Sequence, residues 1–103
     1  SAEIERALNQ IEGVGETAAV AVPPPEGGPE QLVVFLVPRL GYPNAPEYWH
    51  PLLASTIRER LSPLFHLHEV VVVEELPRTA SNKIMRRLLR ALYGDMRRAS
   101  HGG

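Results

Sequence analysis

Three short apolar runs decide most of what this chain can become. Residues 14–22, 31–37 and 69–73 are rich in valine and other strand formers, and each is of strand length. Pro23-Pro24-Pro25-Glu26-Gly27-Gly28-Pro29 separates the first two and admits only a loop. A second connection punctuated by proline and glycine, 38–46, leads to a helical stripe of Leu52, Leu53, Ile57 and Leu61 opposite Arg58, Glu59 and Arg60. Pro51 suits the first turn of that helix, and Pro63 ends it. Near the start, Ile4, Ala7, Leu8 and Ile11 form another stripe opposite Glu3, Glu5 and Arg6, with Gly13 or Gly15 as its end. The order α-β-β-α-β-α predicts an α+β fold, a small three-stranded mixed sheet flanked by helices. The first two strands are expected to pair antiparallel, and the valine run 69–73 reads as a central strand.

The 103 residues hold one domain with a modest core. A formal net charge of −1 argues against generic nucleic-acid binding. The absence of cysteine excludes disulfides and thiolate metal sites. No run of about 18 apolar residues is available to span a membrane. Ser1 leads directly into a helical pattern with no signal peptide, and a cytoplasmic location is expected. Charge is segregated: residues 78–98 carry seven of the eleven basic side chains and one acid, Asp95.

Within that basic third, residues 75–90 combine a stop, a turn and a helix. Pro77 cannot donate to a ladder and closes the preceding strand. Thr79, Ser81 and Asn82 bond readily to their own backbone, which favours a turn or an N-cap. Ile84, Met85, Leu88, Leu89, Leu92 and Met96 then recur at helical spacing, and Met85, Leu88 and Leu89 read as core. This places Lys83, the chain's single lysine, at the helix start. A cation there opposes the helix dipole by about 0.3–1 kcal/mol, so helix stability does not explain it. Free N–H groups at the same place suit a bound anion. An isolated lysine is ordinarily a solvated surface group; the residues around this one give it another reading.

The pattern Pro77-Arg78-Thr79-x-Ser81-x-Lys83-Ile84-x-Arg86-Arg87-x-Leu89-Arg90 resembles the C-terminal signature of the adenylate-forming (AMP-binding) superfamily. That group includes acyl-CoA synthetases, adenylation domains of peptide synthetases and firefly luciferase. The family usually has glycine where this chain has Asn82, and asparagine is the next most tolerant residue at positive φ. The likeness covers nearly the whole chain. Glu3-Ile4-Glu5, Leu8 and Val14 look like the family's first helix in this domain and its exit. Ala18-Ala19-Val20-Ala21-Val22-Pro23 looks like the next strand, with Ala21 where glycine is common. Residues 28–37 and 64–76 look like the family's two remaining strands.

The resemblance implies that residues 1–98 are the C-terminal lid domain of such an enzyme, with 99–103 a flexible tail and the large N-terminal domain outside this sequence. It implies activation of a carboxylic acid with ATP and Mg2+ to an acyl-adenylate, then transfer to the thiol of CoA after the lid turns. The acyl-CoA synthetase branch is expected, because no carrier-domain sequence follows Gly103, and with it a place in fatty acid metabolism. Lys83 is then the cation that steadies carboxylate and phosphate oxygens. Arg78, Thr79, Ser81 and Asn82 are expected to shape the loop presenting it. Arg86, Arg87 and Arg90 are candidates for CoA phosphates or acids of the large domain, or else a solvated helix face. No cofactor is expected in this domain alone, its partner is the N-terminal adenylation domain, and the isolated domain is expected to be inactive.

The remaining candidates are structural. His66 and His68 have strand spacing, but a metal site needs a third ligand and none is offered, so no metal is expected. Trp49, Tyr42 and Tyr48 read as a local cluster or domain contact in a loop before a helix. The alternatives are an adenylation-domain fragment of a peptide-synthetase type enzyme, or a non-enzymatic module gripping phosphates or RNA with its arginine helix.

Overall fold

The computed structural model describes residues 2–102, with side chains for 2–100. Ser1, the first residue of the expected domain, and Gly103, the last of the expected tail, lie outside the described residues. Six elements run in the expected order: α1 (Ala2–Leu8), β1 (Val14–Val22), β2 (Gln31–Pro38), α2 (Pro46–Arg60), β3 (Leu67–Val72) and α3 (Arg86–Gly102). β2 lies in the middle of a mixed sheet, antiparallel to β1 and parallel to β3. The run expected as the central strand is therefore an edge. Valine marks a half-buried pleat at any position in a sheet. The true centre is recognised by pairing, since β2 alone has a neighbour on each side; Val33, Val34, Phe35 and Leu36 are buried in succession, as are residues 17–20 of β1. Only a strand covered on both faces has that pattern.

Alternation divides the core in two. Ala19, Val34, Leu36 and Val70 meet Ile4 and Leu8 of α1 and Trp49, Leu53 and Ile57 of α2. Ala18, Val20, Val22, Val33, Phe35 and Val71 meet Leu76 and, from α3, Leu89 and Tyr93. Pairing between β1 and β2 slips between Val14 and Glu16. This bulge breaks the two-residue period. Val14 joins the α1/α2 core, while Glu16 keeps the parity of Ala18 and Val20 and points to the α3 side. Gly15 sits at the slip, where a Cβ would stand 2.9 Å from the Val37 carbonyl oxygen. Glycine is needed here for close approach.

α2 starts five residues before the expected proline. Pro46 occupies its first turn and Pro51 lies inside the helix. Trp49 and Tyr48 thus belong to α2 rather than to a loop. Trp49 is fully buried and donates its indole N–H to the Pro43 carbonyl at 2.7 Å. The Tyr48 ring meets it edge-on with centroids 4.9 Å apart, and Tyr42 lies at 6.3 Å. The expected aromatic cluster is present, and it anchors α2 in the core.

α3 covers the opposite face with Leu89 and Tyr93. Met85 and Leu88, expected in the core, are 38% and 39% exposed. A single helix lying on a sheet brings only one narrow row into contact, so the rest of a wide apolar stripe stays outside. Helical backbone continues to Gly102, into the stretch read as a flexible tail. Both helices also close the outer edge of β1. The Ala19 N–H donates to Glu5 Oε2 at 2.8 Å, and the Ala21 carbonyl accepts from Arg90 Nε at 3.1 Å. An edge so occupied is closed to another strand. Among the described residues, no helix is long and apolar enough to cross a membrane.

Candidate active site

Beyond β3 the chain dips once into the core at Leu76, then leaves it and turns back on itself as a narrow hairpin. Met85 N–H donates to the Pro77 carbonyl at 2.9 Å, Arg78 bridges Ile84, and Thr79 N–H donates to the Lys83 carbonyl at 2.8 Å. At the tip, Asn82 N–H donates to the Thr79 carbonyl at 2.9 Å. This is a three-residue loop, 80–82, of the kind that needs a left-handed residue in its last position. Asn82 supplies it with φ +70°. The asparagine keeps the turn as expected.

Lys83 is therefore not at a helix N-terminus. It stands on the returning leg of the hairpin, three residues before α3 begins. Its own N–H is already held by Thr79 Oγ1 at 3.2 Å, so the expected cradle of free helical N–H groups does not exist at this residue. Thr79, Ser81 and Asn82 act as hairpin residues instead of an N-cap: the Thr79 and Ser81 hydroxyls lie 3.0 Å apart beneath the tip. Lys83 itself is exposed, and its ammonium has no hydrogen bond or ion pair among the described residues. A fixed backbone thus holds up an uncommitted positive charge.

Two arginines tie the hairpin to the front of the domain. Arg78, on the outgoing leg, pairs with Glu16 of β1 through one guanidinium nitrogen. Its other terminal nitrogen donates to the Asn82 carbonyl at 3.1 Å. Arg86, where α3 starts, pairs with Glu5 of α1 at 2.5 Å. The Glu5 carboxylate also holds the Ala19 N–H and is only 12% exposed. An open surface pair such as Arg78–Glu16 contributes about 0–1 kcal/mol. The Arg86–Glu5 pair is better shielded and is locked by a third group.

The three arginines expected at an interface do not behave alike. Arg86 and Arg90 point back to Glu5 and the Ala21 carbonyl. Farther along, Arg97 donates to the Pro23 carbonyl at 3.0 Å and lies 5.1 Å from the centroid of the Tyr93 ring. Arg87 is exposed and has no such partner among the described residues. Much of the basic helix is committed to holding α3 on β1.

Glu16 and Glu5 were not among the residues singled out from sequence. Glu16 had a signal, since it is the one acid inside the apolar run 14–22. Nothing local distinguishes Glu5 from an ordinary solvated helix residue. His68 lies on β3 and His66 just before it, both exposed. Among the described residues, no three histidine, cysteine, aspartate or glutamate side chains converge to hold a metal ion. Tyr93 lies on the buried side of α3 with its hydroxyl donating to Glu69 at 2.5 Å. Burial, and then the Glu69 carboxylate, push its pKa from 10.0 up to about 12.

The chain is 48% identical over 98 residues to a protein of Arabidopsis thaliana named "Probable acyl-activating enzyme 17, peroxisomal", covering 87% of this chain and 13% of that one. It is 45% identical over 96 residues to hexanoyl-CoA synthase of Cannabis sativa, covering 90% and 13%. The crystal structure of Brucella canis acyl-CoA synthetase superposes with a TM-score of 0.79 at 33% identity, covering 92% of this chain and 17% of that one. The chain thus spans about 13% of the length of these curated relatives. Residues 3–83 match the family model described as the AMP-binding enzyme C-terminal domain. The chain belongs to the AMP-binding enzyme C-terminal domain family.

Proposed function

We propose that this chain is the mobile lid of an AMP-forming acid–thiol ligase, an acyl-CoA synthetase, and that Lys83 serves its first half-reaction. In that step a carboxylate oxygen attacks the α-phosphorus of ATP, and pyrophosphate leaves. Two anions meet, and charge grows on the phosphoryl oxygens, so a positioned cation lowers the barrier. The observation that carries the reading is the unpartnered Lys83 ammonium on a hydrogen-bonded hairpin. The preceding large domain supplies the ATP and acid sites. Mg2+ enters with the phosphates of ATP. In the second half-reaction the CoA thiol attacks the acyl carbonyl and AMP leaves, with the lid turned so that another face meets the substrate.

Arg87 is the arginine left for CoA phosphates or for acids of the large domain, since Arg86 and Arg90 serve the fold. The Cannabis relative's name, hexanoyl-CoA synthase, supports a fatty acid as substrate. The cytoplasmic location remains part of the proposal, although the Arabidopsis relative's name says peroxisomal. Cell fractionation decides it, and recovery with peroxisomes would reject it. The peptide-synthetase and RNA-binding readings are not favoured. An arginine helix that binds its own strand has little left to grip a polyanion.

Lys83→Ala tests the central role in the enzyme that carries this domain. Adenylation, followed as isotope exchange between pyrophosphate and ATP, is expected to fall by about 10²–10³. Thioester formation from supplied acyl-adenylate should persist. Equal loss in both half-reactions would reject the assignment.

A further inference from the structure

We propose that Glu16 is a positioning residue for Lys83, acting through Arg78. The inference rests on the role proposed for Lys83 in adenylation. The Arg78 guanidinium joins two groups that the chain order keeps far apart. One nitrogen holds the Glu16 carboxylate on β1, and the other donates to the Asn82 carbonyl at 3.1 Å. That carbonyl belongs to the peptide bond leading into Lys83. It also belongs to the residue with φ +70°, the position in the hairpin where the backbone has the most to gain by relaxing. Fixing this carbonyl fixes the plane of the 82–83 peptide, and with it the direction in which the lysine stem leaves the hairpin.

The strand is built to deliver Glu16 there. The slip between Val14 and Glu16 sets Val14 in one core while Glu16 keeps the parity of the opposite face, where the hairpin emerges. The acid is otherwise out of place in an apolar run. The pair is open to solvent, with side-chain exposures of 32% for Arg78 and 42% for Glu16. Its loss therefore leaves the fold intact and acts on the hairpin alone. Without the carboxylate, Arg78 is free to swing into water, and the Asn82 carbonyl loses the donor that holds it.

In the enzyme carrying this domain, Glu16→Ala is expected to lower kcat for adenylation by about 10- to 100-fold, the scale of a misplacement near 1 Å. KM for ATP, thioester formation from supplied acyl-adenylate and the thermal midpoint should not move. Arg78→Ala should give the same loss, and the double variant no more. Exchanging the pair, Glu16→Arg with Arg78→Glu, should not rescue, because a carboxylate cannot donate to the Asn82 carbonyl. Full rescue by the exchange, an unchanged kcat in Glu16→Ala, or equal loss in both half-reactions would overturn the proposal. Amide hydrogen exchange on the 103-residue chain separates this idea from the reading beneath it. If Lys83→Ala spares adenylation, the proposed function fails. Glu16 is then judged by exchange at Asn82 and Lys83, where faster exchange in Glu16→Ala supports the tether and unchanged exchange overturns it.

Discussion

The two faces of the sheet are built by different rules. On one, α1 and α2 together cover the strands, and Trp49, Leu53, Ile57 and Leu8 have no exposed surface. On the other, α3 lies alone. It reaches the sheet through Leu89 and Tyr93 and is held at its margins by Arg86, Arg90 and Arg97. The first face is closed by shape and apolar area. The second is closed partly by charge and hydrogen bonds, and Lys83 emerges beside it. Apolar packing resists displacement everywhere at once, whereas polar ties hold particular atoms in particular places. A site that must present one ammonium group gains more from the second kind of closure.

The sharpest way to break this comparison is to empty each face in turn. Trp49→Ala removes the largest fully buried side chain and is expected to cost about 3–5 kcal/mol in urea unfolding. Leu89→Ala should cost about 2–3 kcal/mol, the low end for buried leucine, because a lone helix can settle onto the sheet. Equal costs would mean that the two faces are packed alike.

Next in size is an alkaline effect at Tyr93, on the α3 face. Tyr93 has its pKa raised from 10.0 to about 12 in the folded chain, by burial first and by Glu69 second. The stability this gives is fully present below the ordinary tyrosine range and is lost as pH rises from 10 towards 12. Denaturation measured across that window should show a larger loss in the parent chain than in Tyr93→Phe, which keeps the raised Tyr42. A phenolate absorbance titration that is the same in the parent chain and in Tyr93→Phe between pH 10 and 12 would contradict it.

The smallest effect belongs to the hairpin. A β-branched residue forced into the left-handed region costs about 1–2 kcal/mol, so Asn82→Val should lower the thermal midpoint by that equivalent. Asn82→Gly should leave it unchanged or raise it slightly. A midpoint indifferent to Val would show that the tip does not depend on its backbone geometry.

The sequence carried the strands more faithfully than the helix starts. Run 14–22 coincides with β1, because proline and glycine bound it on the far side. The start of α2 is hidden from periodicity, because its apolar period begins at Leu52 while its first turn carries Pro46, Glu47 and Tyr48, which show no stripe. The local sequence around Lys83 fits a helix start and a hairpin alike, because threonine, serine and asparagine serve N-caps and hairpin tips equally well. Only the pairing of Arg78 with Ile84 distinguishes them, and pairing is not a local property. Met85 and Leu88 were read as core for the same reason: periodicity marks an apolar side of a helix without saying how much of it is covered. The signature around Lys83 does not extend to the residues that brace its hairpin, since Glu5 and Glu16 lie more than sixty positions away in the chain.

The slip at Gly15 gives one strand two allegiances. Because pleating has a repeat of two, a single surplus residue inverts the sense of everything on one side of it. A hydrophobic plug and an acidic hook, two positions apart, can then be served to opposite sides of the same ribbon. The domain thus needs no separate segment to reach the hairpin; the strand that seals its interior also ties down the turn that carries Lys83.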